Sequence, residues 1–78
     1  MELVVEEKDD HVLVLIRGRV DTVTATQLES RLVDLLDSEL NIVLDCANLD
    51  YVSSAGLRVF LLVQKRLKVL QKELLLRS

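Results

Sequence analysis

The chain has 78 residues, half of them hydrophobic, few aromatics, one cysteine, one histidine and a net charge of −3, which points to one small domain with an aliphatic core. That composition excludes an internal disulfide and, within one chain, a cysteine-cluster or multi-histidine metal site; the acidic balance argues against nucleic-acid binding, which brings a basic excess. No unbroken apolar run is longer than Val12–Ile16, far short of the ~20 residues of a membrane span, and Met1-Glu2-Leu3 lacks the basic start of a signal peptide, so the expectation is a soluble, cytoplasmic domain without metal, cofactor, nucleic-acid partner or membrane.

Glu2–Glu7 contains the β-branched run Leu3-Val4-Val5 and predicts a first strand. Lys8-Asp9-Asp10 reads as a tight turn and His11–Val20 as a second, antiparallel strand. Val12, Val14 and Ile16 point one way and Leu13 and Leu15 the other, which predicts a central strand covered on both faces. Gly18 marks a bend or a close backbone approach. His11, at the strand start, reads as a solvated turn residue. Asp21 then opens a helix as an N-cap, with Thr24 adding hydrogen bonds to the same free N–H groups. Ala25, Leu28, Leu32, Leu35 and Leu36 recur at helical spacing, and the helix is expected to stop near Asp37-Ser38.

Asn41–Cys46 holds Ile42-Val43-Leu44 and predicts a buried strand. A strand, a helix of about sixteen residues and a second strand make a parallel βαβ unit with a right-handed crossover. Asp45 would then lie at the carboxyl end of its strand, where functional residues of such sheets collect. Cys46 reads as a small buried hydrophobe. After the turn Leu49–Leu57, the run Arg58–Leu70 predicts a long amphipathic helix. Leu57, Phe60, Leu61, Val63, Leu67 and Leu70 are its expected apolar face, and Lys65, Arg66 and Lys68 make its later turns basic. Gln71-Lys72 breaks the pattern, and Glu73–Arg77 predicts a fourth strand. The element order is β-β-α-β-α-β, a mostly parallel four-stranded α/β sheet in one domain over residues 1–78.

The adjacent serines Ser53 and Ser54 fall at the strand-to-helix junction, where helix N–H groups are unpaired and the dipole is positive. Three readings compete there. A catalytic serine would need the flanking glycines of G-x-S-x-G, of which only Gly56 is present, and a nearby histidine. Plain capping would put Ser53 at the N-cap and Ser54 at the first helical position. Regulatory phosphorylation of Ser54 would add about −1.5 to −2 charges at a helix start that tolerates them.

The stretches Gly18-Arg-Val-Asp21, Asn41-Ile-Val-Leu-Asp45 and Leu49-Asp-Tyr-Val-Ser-Ser-Ala-Gly-Leu57 resemble the anti-sigma factor antagonists of the STAS domain family, over essentially the whole chain. The resemblance implies a β-α fold with helices largely on one side of the sheet, and a bacterial, non-enzymatic interaction switch. It implies that the unphosphorylated protein binds an anti-sigma factor that is also a serine kinase, and that phosphorylation ends the complex. On the register of Gly56 and Leu57 the phosphoacceptor is Ser54, and Asp21 matches an acidic position that engages the kinase. The partner surface implied is Asp21 with Ser53, Ser54, Ala55, Gly56, Leu57 and Arg58. The chain departs from the family in having Ser53 where an Asp often precedes the phosphoacceptor, and in stopping at Ser78 where the family continues with one or more helices. The expected consequence is an uncovered apolar surface and open strand edge, hence a homodimer or domain-swapped assembly. The alternative reading is a STAS-like scaffold module, or a truncated or engineered core, without switching.

Overall fold

The charged run Lys8–Asp10 turns the chain, and the Lys8 N–H donates to the His11 carbonyl at 2.8 Å. This closes a hairpin between β1 (Glu2–Glu7) and β2 (His11–Val20), with Leu3 opposite Ile16 and Val5 opposite Val14. β2 then pairs in parallel with β3 (Asn41–Val52), and β3 in parallel with β4 (Leu74–Arg77), giving the spatial order β1-β2-β3-β4. The parallel connections are α1 (Thr22–Leu35) and α2 (Ser54–Val69). Because the strands step across the sheet in one direction, right-handed crossovers place both helices on the same face. This computed structural model describes residues 1–37 and 40–77.

On the helix-bearing face, Val12, Val14 and Ile16 of β2 and Ile42 and Leu44 of β3 meet Ala25, Leu28 and Leu32 of α1. Val59, Phe60, Val63 and Leu67 of α2 complete the cluster. Burying each of the Val, Leu, Ile and Phe side chains stabilises the fold by about 1.5–3 kcal/mol relative to exposure. The opposite face carries Leu13, Leu15 and Val43, which lie outside that cluster. The expectation of a strand covered on both faces is therefore corrected. β2 is central, but among the described residues no helix packs on its second face, where Leu13 is nonetheless buried.

Three boundaries also differ from expectation. α1 ends at Leu35 with Leu36 as its C-cap, short of Asp37; Ser38, named with it, lies outside the described residues. β3 runs on for 12 residues through Asn48 and Asp50, because pairing with β2 continues past two register shifts, at Leu15/Arg17 and Gly18/Arg19. At the second shift Gly18 takes φ +88°, a left-handed conformation that glycine alone adopts without strain. Finally, α2 begins at Ser54 rather than Arg58, and its core face is Gly56, Val59, Phe60, Val63 and Leu67, whereas Leu57, Leu61 and Leu70 are exposed. Gly56 sets that phase, as the site shows.

Candidate functional site

Val20 and Val52 pair on the last rung of β2 and β3. The next residue on each strand, Asp21 and Ser53, is the N-cap of the following helix. Two helix N-termini thus sit side by side at one end of the sheet.

Asp21 is held by a reciprocal capping box. Its Oδ1 accepts from the Val23 N–H at 3.0 Å and the Thr24 N–H at 2.9 Å, while its own N–H donates to Thr24 Oγ1 at 2.9 Å. The Thr24 amide and then the Thr24 hydroxyl, with smaller help from Val23 and Arg19, hold the Asp21 carboxyl below the usual carboxylate range. Ser53 is fixed on three sides. Its Oγ accepts from the Gly56 N–H at 3.2 Å, its N–H donates to the Val20 carbonyl at 2.8 Å, and its carbonyl accepts from the Leu57 N–H at 3.0 Å.

Gly56 is where α2 touches the sheet. A Cβ built there would come within 2.7 Å of Val20 Cγ1 and 2.9 Å of Val52 Cγ1, so any side chain would push the helix start off both strands. The close approach leaves Ser54, the first residue of α2, exposed beside a capped and anchored neighbour. Arg58 is exposed one turn further along, on the side of the helix that an i,i+4 spacing shares with Ser54. Between the helices runs an open groove of about 350 Å³, lined by Thr22, Thr26 and Glu29 of α1 and by Ala55 and Arg58 of α2, among others.

Of the residues expected at the site, the structure gathers Asp21 and Ser53–Arg58 at one end of the sheet. Asp21, Ser53 and Gly56 are occupied with local architecture, while Ser54, Leu57 and Arg58 face outward. Asp45 is corrected. It lies mid-strand, accepts from the Ala47 N–H at 3.0 Å and meets Arg77 Nη2 at 3.1 Å, so it ties β3 to β4 rather than serving the site. His11 contacts Asp10 at 2.7 Å at the far end of β2, a full strand length from Ser54, so no serine–histidine pair forms. Burial first, and the neighbouring Asp45 second, push the Cys46 thiol up, which disfavours the reactive thiolate.

One feature of this end had no signal in the sequence. Arg19 and Tyr51 are cross-strand partners, and the guanidinium lies 4.5 Å from the ring centroid. The register shifts create this cation–π contact, and no periodicity in the sequence announces them. Among the described residues no three metal-ligating side chains converge, and no helix is long and apolar enough to cross a membrane.

Residues 2–78 match the STAS domain family. BtrV of Bordetella bronchiseptica, named for a proposed role as an anti-sigma factor antagonist, is 44% identical over 77 residues; the alignment covers 97% of this chain and 66% of BtrV. The anti-sigma factor antagonist SpoIIAA in its unphosphorylated form superposes with a TM-score of 0.82 at 15% identity, over 96% of this chain and 71% of SpoIIAA. The Bacillus protein has also been solved in a phosphorylated form, which superposes at 0.78. Mglu shares the fold at a TM-score of 0.84 and 23% identity, over 96% of this chain and only 19% of Mglu. The chain thus spans just under two thirds of BtrV and a small part of Mglu.

Proposed function

The chain belongs to the STAS domain family, and from that premise we propose that it is an anti-sigma factor antagonist, a non-enzymatic interaction switch thrown by phosphorylation of Ser54. The observation that carries this reading is the division of labour between the two serines. Ser53 caps α2, whereas Ser54 is exposed at the first helical position. A phosphate on Ser54 would leave the cap intact and meet the positive end of the helix dipole and Arg58 one turn on. The fold would survive while the surface changed charge. The similarity to BtrV and the existence of SpoIIAA in both phosphorylation states support the same reading.

In this reading the partner is an anti-sigma factor that is also a serine kinase, in a bacterial cytoplasm. It docks on Ser54, Ala55, Leu57 and Arg58, with the helix start held in place by Ser53 and Gly56, and with Asp21 beside them. Negative charge at Ser54 opposes that docking. The test is incubation with the cognate anti-sigma kinase and ATP, followed by intact mass measurement. A phosphate gain lost in Ser54→Ala but kept in Ser53→Ala is expected; no gain with an active kinase removes the switch. The fold's occurrence within the much longer Mglu favours, as the second reading, a scaffold module whose partner binding is indifferent to Ser54→Asp.

A further inference from the structure

Both helices follow the same rung of the sheet, so Ser54 and Arg58 hold the first and fifth positions of α2, as Thr22 and Thr26 do in α1. Thr22, Thr26 and Arg58 all line the groove between the helices. At its own level on the opposite wall Arg58 therefore meets a neutral hydroxyl. Glu29, the carboxylate of that wall, stands three residues, about 4.5 Å, further along α1. Among the described residues it forms no ion pair with Arg58. The fold brings two arginines to this end of the sheet, and Arg19 is occupied by the Tyr51 ring at 4.5 Å. Arg58 is exposed and, among the described residues, has neither a carboxylate nor a ring as partner. Its guanidinium is an unspent bidentate donor beside Ser54.

We propose that this guanidinium reads the state of Ser54: it holds a carboxylate of the partner while the serine is free, and holds the phosphate once the serine carries one. The inference rests on the functional reading above and names the chemistry of the partner's contact. In that reading negative charge at Ser54 drives the partner off. Charge alone does this only to a partner that is itself negative there, and Arg58 is the open cation such a group meets. A phosphate on Ser54 lies on the same helix face one turn, about 6 Å, before Arg58, within reach of its long side chain. Carboxylate and phosphate both suit the planar fork of an arginine, so one group serves both states. The phosphate is tethered to the same helix, and its high effective concentration lets it displace a partner's carboxylate. Gly56, packed against Val20 and Val52, keeps the helix start in place, so the exchange needs only the Arg58 side chain to turn.

The experiment takes the full 78-residue chain with either serine or encoded phosphoserine at position 54. Binding is measured to the cognate anti-sigma kinase with ADP, so that no phosphate is transferred. Arg58→Gln in the unphosphorylated chain should raise the dissociation constant about tenfold. In the phosphoserine chain, a phosphorus NMR titration should find the second phosphate ionisation about 0.5 pH unit lower than in Arg58→Gln, because a nearby cation favours the dianion. Arg66→Gln, exposed toward the other end of α2, should change neither. Arg58→Glu should weaken binding further, and a lysine in place of one acidic residue of the partner should recover about tenfold or more. An unchanged dissociation constant, an unchanged phosphate ionisation, or the lack of any rescuing partner acid each overturns the proposal and leaves phosphorylation of Ser54 standing. No binding by any chain, or no phosphate gain with ATP, removes the functional reading and this inference with it.

Discussion

Ser53 and Ser54 are chemically identical neighbours, and only their positions in the helix start separate them. Ser53 satisfies the Gly56 N–H, so Ser53→Ala should cost about 1 kcal/mol, the usual worth of an N-cap, and lower Tm by about 4–8 °C for a domain of this size. Ser54→Ala should stay within about 0.5 kcal/mol, as an exposed substitution off any cap does. Thermal melts of the pair check the assignment without any kinase. Asp is as good a cap as Ser, so the family's frequent Asp at this position and Ser53 here are two solutions to one task. The acid limb of stability also belongs to single residues. The carboxyls of Asp21 and Asp45 are held low, Asp21 first by the Thr24 amide and Asp45 first by the Ala47 amide and then by Arg77. Between their folded values and the ordinary 3.8, the unfolded chain binds more protons than the folded one. Their stabilisation is therefore complete above about pH 4 and falls as pH drops further. Melting from pH 7 to pH 2 should show a Tm decline beginning near pH 4, and Asp21→Asn with Asp45→Asn should make it shallower, leaving the share of Asp10, whose carboxyl the His11 hydrogen bond holds low.

At the scale of elements, what was legible in the sequence was local. The hairpin could be read because Lys8–Asp10 breaks the apolar alternation on both sides, and α1 because Asp21 and Thr24 form a recognisable cap. β3 beyond Cys46 could not, since Asn48 and Asp50 are poor strand formers and only pairing with β2 holds them extended. The face of α2 is only half legible for a different reason, Phe60, Val63 and Leu67 being buried as expected but Leu57, Leu61 and Leu70 exposed. Leucines occur nearly all round the helix, and the residue that fixes its rotation is the one without a side chain. Gly56→Ala should thus destabilise the domain even though alanine is the better helix former by about 1 kcal/mol, because overpacking costs about 1–3 kcal/mol. Chemical denaturation would show it as a lowered midpoint. The far end of α2 carries the opposite opportunity. The Lys72 N–H bonds the Leu67 carbonyl at 2.7 Å and the Gln71 N–H the Lys68 carbonyl at 3.0 Å, with Gln71 at φ 61°. That is a Schellman stop with glutamine in the place glycine prefers. Gln71→Gly should raise the midpoint, by about 1 kcal/mol of relieved left-handed strain.

For the whole molecule, the one apolar layer between the two helices and the sheet does the work of folding. Residue spacing made the serine turn visible in the sequence, but not its setting. Which side chains are tied up in caps and which face outward depends on two strands ending on the same rung, a fact of tertiary pairing. That shared rung has its own arithmetic. Between the rung of Leu15 and Asp45 and the rung of Val20 and Val52, β3 carries two residues more than β2, one at each register shift. Two is an even number, so the alternation of the strands returns to phase and both valines face the core. Removing Ala47 alone would leave an odd excess, turning Val52 outward and separating Ser53 from the Val20 carbonyl. Removing Ala47 and Asp50 together would restore the phase. Calorimetry should find the single deletion far less stable than the double, making the length of β3 a gauge that aims the serine turn.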